Sequence, residues 1–211
     1  MAPRELKDRE HRLLELVGLR LSHLGFTPEL RRQRFVRNVS AGKHLVHLSF
    51  IEHPDDFDTT VDIGLRLDSV EAQIKELRGP EGKMTIGAEL GNLSVVKGQR
   101  RYRVTRDTAL ESVATEVASA VRGEAEPIFS KYTDMREVMD ALIKEDPLAL
   151  ILSPLRDRRW AVTLAIASQL KDRGAFDRAI ATQTQSPMKS QSPTPEVFER
   201  FRDNVRHVSG W

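Results

Sequence analysis

The chain has 211 residues, 39% of them apolar and 30% charged, and the two charge signs nearly cancel at +2. It contains no cysteine, which excludes disulfides, thiol nucleophiles, iron–sulfur clusters and Cys-type zinc sites. A chain of this length buries enough apolar surface to fold without such staples, and a pI near 9.0 at so small a net charge reflects a slight excess of Arg and Lys rather than a strongly basic protein.

The opening "MAPRELKDREHR" is charged where a signal peptide needs an apolar core. The apolar-rich stretches "PLALILSPL" and "WAVTLAIASQL" are too short to cross a bilayer. The expectation is a cytoplasmic protein with no membrane partner. Residues 4–24 read as a helix, because Leu6, Leu13, Leu14, Val17, Leu21 and Leu24 recur at three- and four-residue spacing and Gly25 ends the run.

The period then changes to two. "RRQRFVRNV" and "KHLVHLSFIE" read as strands joined by "SAG", and "TTVDIGLRL" as a third strand after the turn "HPDDFD". In the third, Val61, Ile63, Leu65 and Leu67 share one face and Thr60, Asp62, Gly64 and Arg66 the other. This alternation predicts a sheet with one apolar and one polar face. Ser69–Leu77 reads as a short helix, and "KMTIGAEL" and "QRRYRVTR" as two further strands.

From Asp107 the pattern is helical. Asp107 or Thr108 is the expected cap of a helix whose stripe is Leu110, Val113, Val117 and Val121, with Glu111 as capping-box partner and a kink or break at the proline of "AEPIFSKY". "TDMREVMDALIKE" and "SPLRDRRWAVTLAIASQLKDRG" follow as helices, the second stopped by Gly174, and "FDRAIATQ" as a brief continuation. Residues 181–195, rich in Ser, Pro and Gln, read as a flexible linker, and 196–211 as a last helix with Val197, Phe198, Phe201 and Val205 on one side. Strands and helices are segregated, which predicts an α+β fold. It comprises an N-terminal helix, an antiparallel sheet of about five strands and four to five C-terminal helices, with residues 1–180 forming a single domain (sheet part 26–106, helical part 107–180).

"LGF" closing the first helix, an Arg/Phe strand, a hydrophobic strand and then "DIGLRL" resemble the start of a bacterial α+β domain family of unknown function. "VRGEAEPIFSKYTDMREVMDAL" is similar to its middle helices and "LAIASQLKDRGAFDRAI" to its end, so the resemblance covers about residues 6–180. It implies a curved antiparallel sheet packed by helices. It also implies an association with accessory or immunity proteins of bacterial competition and defence systems. It carries over no functional residues.

Three groups of residues bear chemistry. His47-x-Ser49 is half of the signature of the two-histidine phosphoesterases, and His207-x-Ser209 repeats the spacing, although after a helix and at the chain end. "HPDDFD" gathers His53, Asp55, Asp56 and Asp58, whose spacing matches no defined metal loop, so no metal and no cofactor is expected. The basic strands form the stronger signal, with Arg31, Arg32, Arg34 and Arg37 around Phe35, and Lys97, Arg100, Arg101, Arg103 and Arg106 around Tyr102. Arginines beside an aromatic on a sheet hold phosphates and stack bases. On edge strands they also serve to block unwanted pairing.

Arg37, His47, Arg101 and Arg103 are therefore the candidate ligand-binding residues, expected together on the polar sheet face, with no catalytic residue assigned. The sequence leans away from an enzyme. The first expectation is a non-enzymatic protein-binding module of accessory or immunity type. A nucleic-acid-binding module using the arginine face is the alternative, and a phosphoesterase using His47 and Ser49 stands last.

Overall fold

The computed structural model describes residues 3–77, 82–94, 98–185 and 195–210. It has an N-terminal helix, a six-stranded antiparallel sheet and a C-terminal set of helices, an α+β architecture. No helix among the described residues is long and apolar enough to cross a membrane. The chain resolves into two compact units, one of Met1–Val39, Lys43–Leu65 and Gly87–Lys131, the other of Ser40–Gly42, Arg66–Ile86 and Tyr132–Trp211.

The first unit holds the sheet. Helix α1 spans Pro3–Ser22, and its stripe of Leu6, Leu13, Leu14, Val17 and Leu21 is buried. The strands are β1 (Thr27–Glu29), β2 (Arg34–Val39), β3 (Gly42–Glu52), β4 (Phe57–Arg66), β5 (Ile86–Glu89) and β6 (Tyr102–Val104). Their order is β1-β2-β3-β4-β5, and β6 also pairs with β4, in the register Phe57↔Val104, Asp58↔Arg103, Thr59↔Tyr102.

Two strand expectations change. Arg31 and Arg32 do not extend the arginine strand but form a 3₁₀ turn, Leu30–Arg32, closed by Gln33 in the left-handed region at φ 52°. That turn separates β2 from β1, a three-residue strand too short to show a period of two.

Helix α3 spans Leu110–Ala120 and buries Leu110, Val113, Ala114, Val117 and Ala118. Neither Asp107 nor Thr108 caps it. Ala109 occupies the cap position, because the Thr108 hydroxyl is engaged in closing the preceding turn on the Thr105 N–H at 2.9 Å. The helix passes through a π-helical turn, Val121–Ala125, into α4, Glu126–Lys131, so the chain widens ahead of Pro127 instead of breaking. Phe26, Phe35, Val46, Leu48, Phe57, Val61, Ile63, Val104 and Phe129 complete this unit's core.

The second unit is helical. It contains α2 (Asp68–Glu76), α5 (Met135–Ile143), α6 (Pro147–Leu152), α7 (Arg156–Gln169), α8 (Arg173–Gln185) and α9 (Pro195–Ser209). The capping box at Asp134 and Glu137 forms as the "TDMRE" pattern requires. Helix α7 is buried nearly all round, from Trp160 to Ser168, and α2, α5, α8 and α9 all pack on it.

The Trp160 ring lies 4.3 Å from that of Phe198 and 4.9 Å from that of Phe201, which seats α9. Lys171, left-handed at φ 52°, ends α7, while Gly174 lies inside α8. Of the expected linker, residues 181–185 belong to α8; residues 186–194, together with Trp211 and Lys97, lie outside the described residues.

Candidate functional site

Alternation along the strands sorts the four candidate residues onto two faces. In an antiparallel pair, residues opposite one another project to the same side of the sheet. Asp58 is opposite Arg103, so Arg101, Arg103, Asp58, Thr60 and Asp62 share a face. His47 joins them, since its Nδ1 is 3.6 Å from Asp62 Oδ2. Leu45 at 2% exposed and Thr60 at 4% lie on this face too, so it is not the open polar surface that the alternation implies.

Arg37 lies on the other face, which corrects the expected grouping. Its guanidinium sits against His44 Nδ1, with Nη2 at 3.0 Å, and His44 is three residues from His47, an odd step that reverses the side of the strand. Arg37 donates to Leu24 O at 2.9 Å, pairs with both oxygens of Glu126 at 2.9 and 3.1 Å, and lies over the rings of Phe26 and Phe129. It is a joint between β2 and α4 rather than a free cation.

His44, beneath it, is buried, stacks on Phe129 at 4.4 Å, and has its pKa lowered to about 4 by burial and then by the Arg37 charge. Neither Glu126 nor His44 is legible as its partner from the sequence. Glu126 is 89 positions from Arg37, and His44 reads as one more strand residue.

The Ser–His–Asp set at His47 is compact but not a relay. Ser49 Oγ is 3.3 Å from His47 Nδ1 and 3.5 Å from Asp62 Oδ2, so hydroxyl and carboxylate address the same ring nitrogen. A relay needs one partner on each nitrogen, so that a proton taken from the hydroxyl is balanced by the carboxylate behind the ring. The repeat of the motif is spent elsewhere. His207 and Ser209 lie in the last turn of α9, where Ser209 Oγ bonds Val205 O at 2.7 Å and Ser168 Oγ at 2.6 Å.

The loop "HPDDFD" meets the basic strand. His53 Nε2 is 3.3 Å from Asp58, Arg101 Nη1 3.4 Å from Asp58, and Arg103 Nη2 2.6 Å from Asp56. No three His, Asp or Glu side chains gather to hold a metal among the described residues. Further along, Arg106 pairs with Glu5 at 3.2 Å, and Arg100 makes a two-point pair with Glu124 of the π-helical turn at 2.7 and 3.0 Å. Arg37, Arg100, Arg101, Arg103 and Arg106 are thus each matched with a carboxylate far away in sequence, while Arg32 and Arg34 pair with Glu29 close by.

Beside this mosaic a cleft of about 360 Å³ opens between β6 and the first turns of α3, lined by Arg101, Tyr102, Arg103, Thr108, Ala109, Ser112, Val113 and Glu116. Arg101 and Arg103 are half-exposed or more at its rim. Burial pushes the Tyr102 hydroxyl upward in pKa, which keeps it neutral.

The second unit hides a further charged pair. Arg158, in the first turn of α7, is buried and donates to Glu71, itself 1% exposed. Glu71 also accepts from Thr85 Oγ1 at 2.7 Å and from Gly82 N at 3.3 Å. This knot joins α2, the 82–85 segment and α7, and its burial and full pairing mark a structural role. No family model, no curated protein and no solved structure matches the chain.

Proposed function

We propose that the chain is a non-enzymatic binding module whose partner is another protein, met at the mixed-charge rim formed by residues 53–58 and 101–106. The observation that carries this reading is the pairing of Arg103 with Asp56 and of Arg101 with Asp58 beside an open cleft. A nucleic-acid surface gathers cations along a track for phosphates. Here each of these arginines is met by a carboxylate, and Asp62 and Glu116 add more negative charge nearby. A protein partner with its own mixed charges exchanges such pairs for intermolecular ones, which sets specificity and association rate more than raw affinity. An accessory or immunity-type role, the one the resemblance implies, is a function of this kind.

The test is crosslinking and co-purification from the native host with the wild-type chain and with Arg101→Glu/Arg103→Glu. The expected result is a protein recovered stoichiometrically by the wild type at micromolar concentration and lost by the reversed pair. Recovery of no protein overturns the reading. In a gel-shift series run across salt, nucleic-acid binding that weakens with salt and disappears in the double variant replaces it with the nucleic-acid alternative.

A further inference from the structure

A second concave site lies within the helical unit, between the end of α5, the first turns of α7 and the second half of α8. It is a cavity of about 40 Å³, room for a group of a few heavy atoms. Its lining combines the apolar Leu142, Ile143 and Ala179 with Arg156, Arg159 and Trp160. Apolar walls with a few convergent polar groups are the composition of a small-molecule site.

Arg159 differs from the arginines of the sheet, because among the described residues no carboxylate pairs with it. Its Nη1 donates to Ser153 O at 2.8 Å and to Pro154 O at 2.9 Å, which leaves Nε–H and the parallel Nη2–H without a partner there. That edge is the fork that takes both oxygens of a carboxylate. The residue is half-buried, and burial lowers its pKa; Arg156 adds to the effect, while Glu145 and Asp157 oppose it from beyond pairing distance. A partly desolvated cation is costly to a folded chain unless an anion meets it.

Trp160 is an independent observation. It is 5% exposed, and its Nε1 is buried with no hydrogen-bond partner among the described residues. Phe198 and Phe201 pack on its ring, and the N–H is its one polar group. Buried donors are nearly always paired, so an orphan beside a cavity marks a place for an acceptor. Glu145, the one carboxylate in the described lining, is exposed on the turn after α5.

We infer that this cavity binds a small monocarboxylate, held on the Nε–Nη2 edge of Arg159 with the Trp160 N–H as a further donor, its short apolar tail against Leu142, Ile143 and Ala179. Two guanidiniums and one carboxylate in the lining leave one positive charge, which a monoanion neutralises and a phosphate dianion overshoots. The site is separate from the rim of residues 53–58 and 101–106, so it holds whether or not the protein-binding reading does.

The experiment follows the indole N–H resonances of the isotope-labelled full chain. There are two tryptophans, and Trp211→Phe assigns the Trp160 signal. Sodium propionate at constant ionic strength is expected to move that signal downfield and to saturate by about 10 mM, whereas propylammonium leaves it in place. Arg159→Lys, which keeps the charge and loses the fork, is expected to weaken binding about tenfold. Thr182→Phe fills the cavity from a half-exposed position on α8 and is expected to abolish the saturable shift at an unchanged melting temperature. Glu145→Gln removes the opposing charge and is expected to tighten binding about threefold. If Arg159→Lys melts early, Thr182→Phe decides alone. No saturable shift with propionate, an equal shift with propylammonium, or an unaltered affinity in Thr182→Phe overturns the inference. Saturation by inorganic phosphate at a lower concentration than propionate overturns the assignment to a carboxylate.

Discussion

Arg103 Nη2 lies 2.6 Å from Asp56, and the two sit on opposite sides of a strand pairing that brings together residues 47 positions apart. The Arg103 side chain is 60% exposed, so this pair is screened by water and contributes little to folding. Arg103→Ala is therefore expected to leave the melting temperature unchanged within error. Partner association in the variant slows at low salt and converges on the wild-type rate at high salt. Calorimetry and stopped-flow binding check the two halves separately.

His44 gives the fold a defined acid sensitivity. Its folded pKa of about 4 is below the ordinary 6.5, so between these values the unfolded chain binds a proton that the folded chain refuses. Stability is fully present above about pH 6.5 and is lost as pH falls toward 4, by about 3 kcal/mol. The Arg37 guanidinium and the Glu126 carboxylate are the charges at this site. His44→Phe, which retains the stacking on Phe129, is expected to flatten the stability profile between pH 6.5 and 4.5. Urea unfolding at half-unit pH steps measures it.

Glu71 and Arg158 are expected to behave as a buried ion pair. Removing either partner strands the other, so Glu71→Ala or Arg158→Ala each costs about 3–5 kcal/mol. The double replacement Glu71→Leu/Arg158→Met is expected to cost much less than the sum, because no uncompensated charge remains. Urea denaturation of the three variants gives the coupling energy.

Gly42 opens β3 where the chain passes close to the end of β4. A Cβ built there meets the Arg66 carbonyl oxygen at 2.1 Å, a backbone atom that cannot swing aside. Gly42→Ala is expected to destabilise the protein by about 3 kcal/mol. Gly123, where a Cβ meets nothing within 4 Å, provides the control: Gly123→Ala is expected to be neutral or slightly stabilising in the same unfolding assay.

Local physics made much of the fold legible. The stripe of α1, the two-residue period of β3 and β4, the Asp134–Glu137 capping box and the buried stripe of α3 all depend on neighbours within a few residues. Features without a local signal were not legible: β1 is too short for a period, Thr108 bonds backward instead of capping, and Lys171 stops α7 ahead of the more conspicuous Gly174.

The candidate site divides in the same way. The sequence by itself determined that Arg103, His47 and Arg37 stand on strands, with Arg101 just ahead of one, and that His47 and Ser49 share a face, because side-chain direction alternates along any strand. Only the tertiary structure decided which face each arginine occupies and which carboxylate meets it. Those depend on strand register and on contacts such as Arg37–Glu126 and Arg101–Asp58, which join residues 89 and 43 positions apart. Electrostatic partners are chosen by distance in space, and no periodicity in the chain encodes that distance.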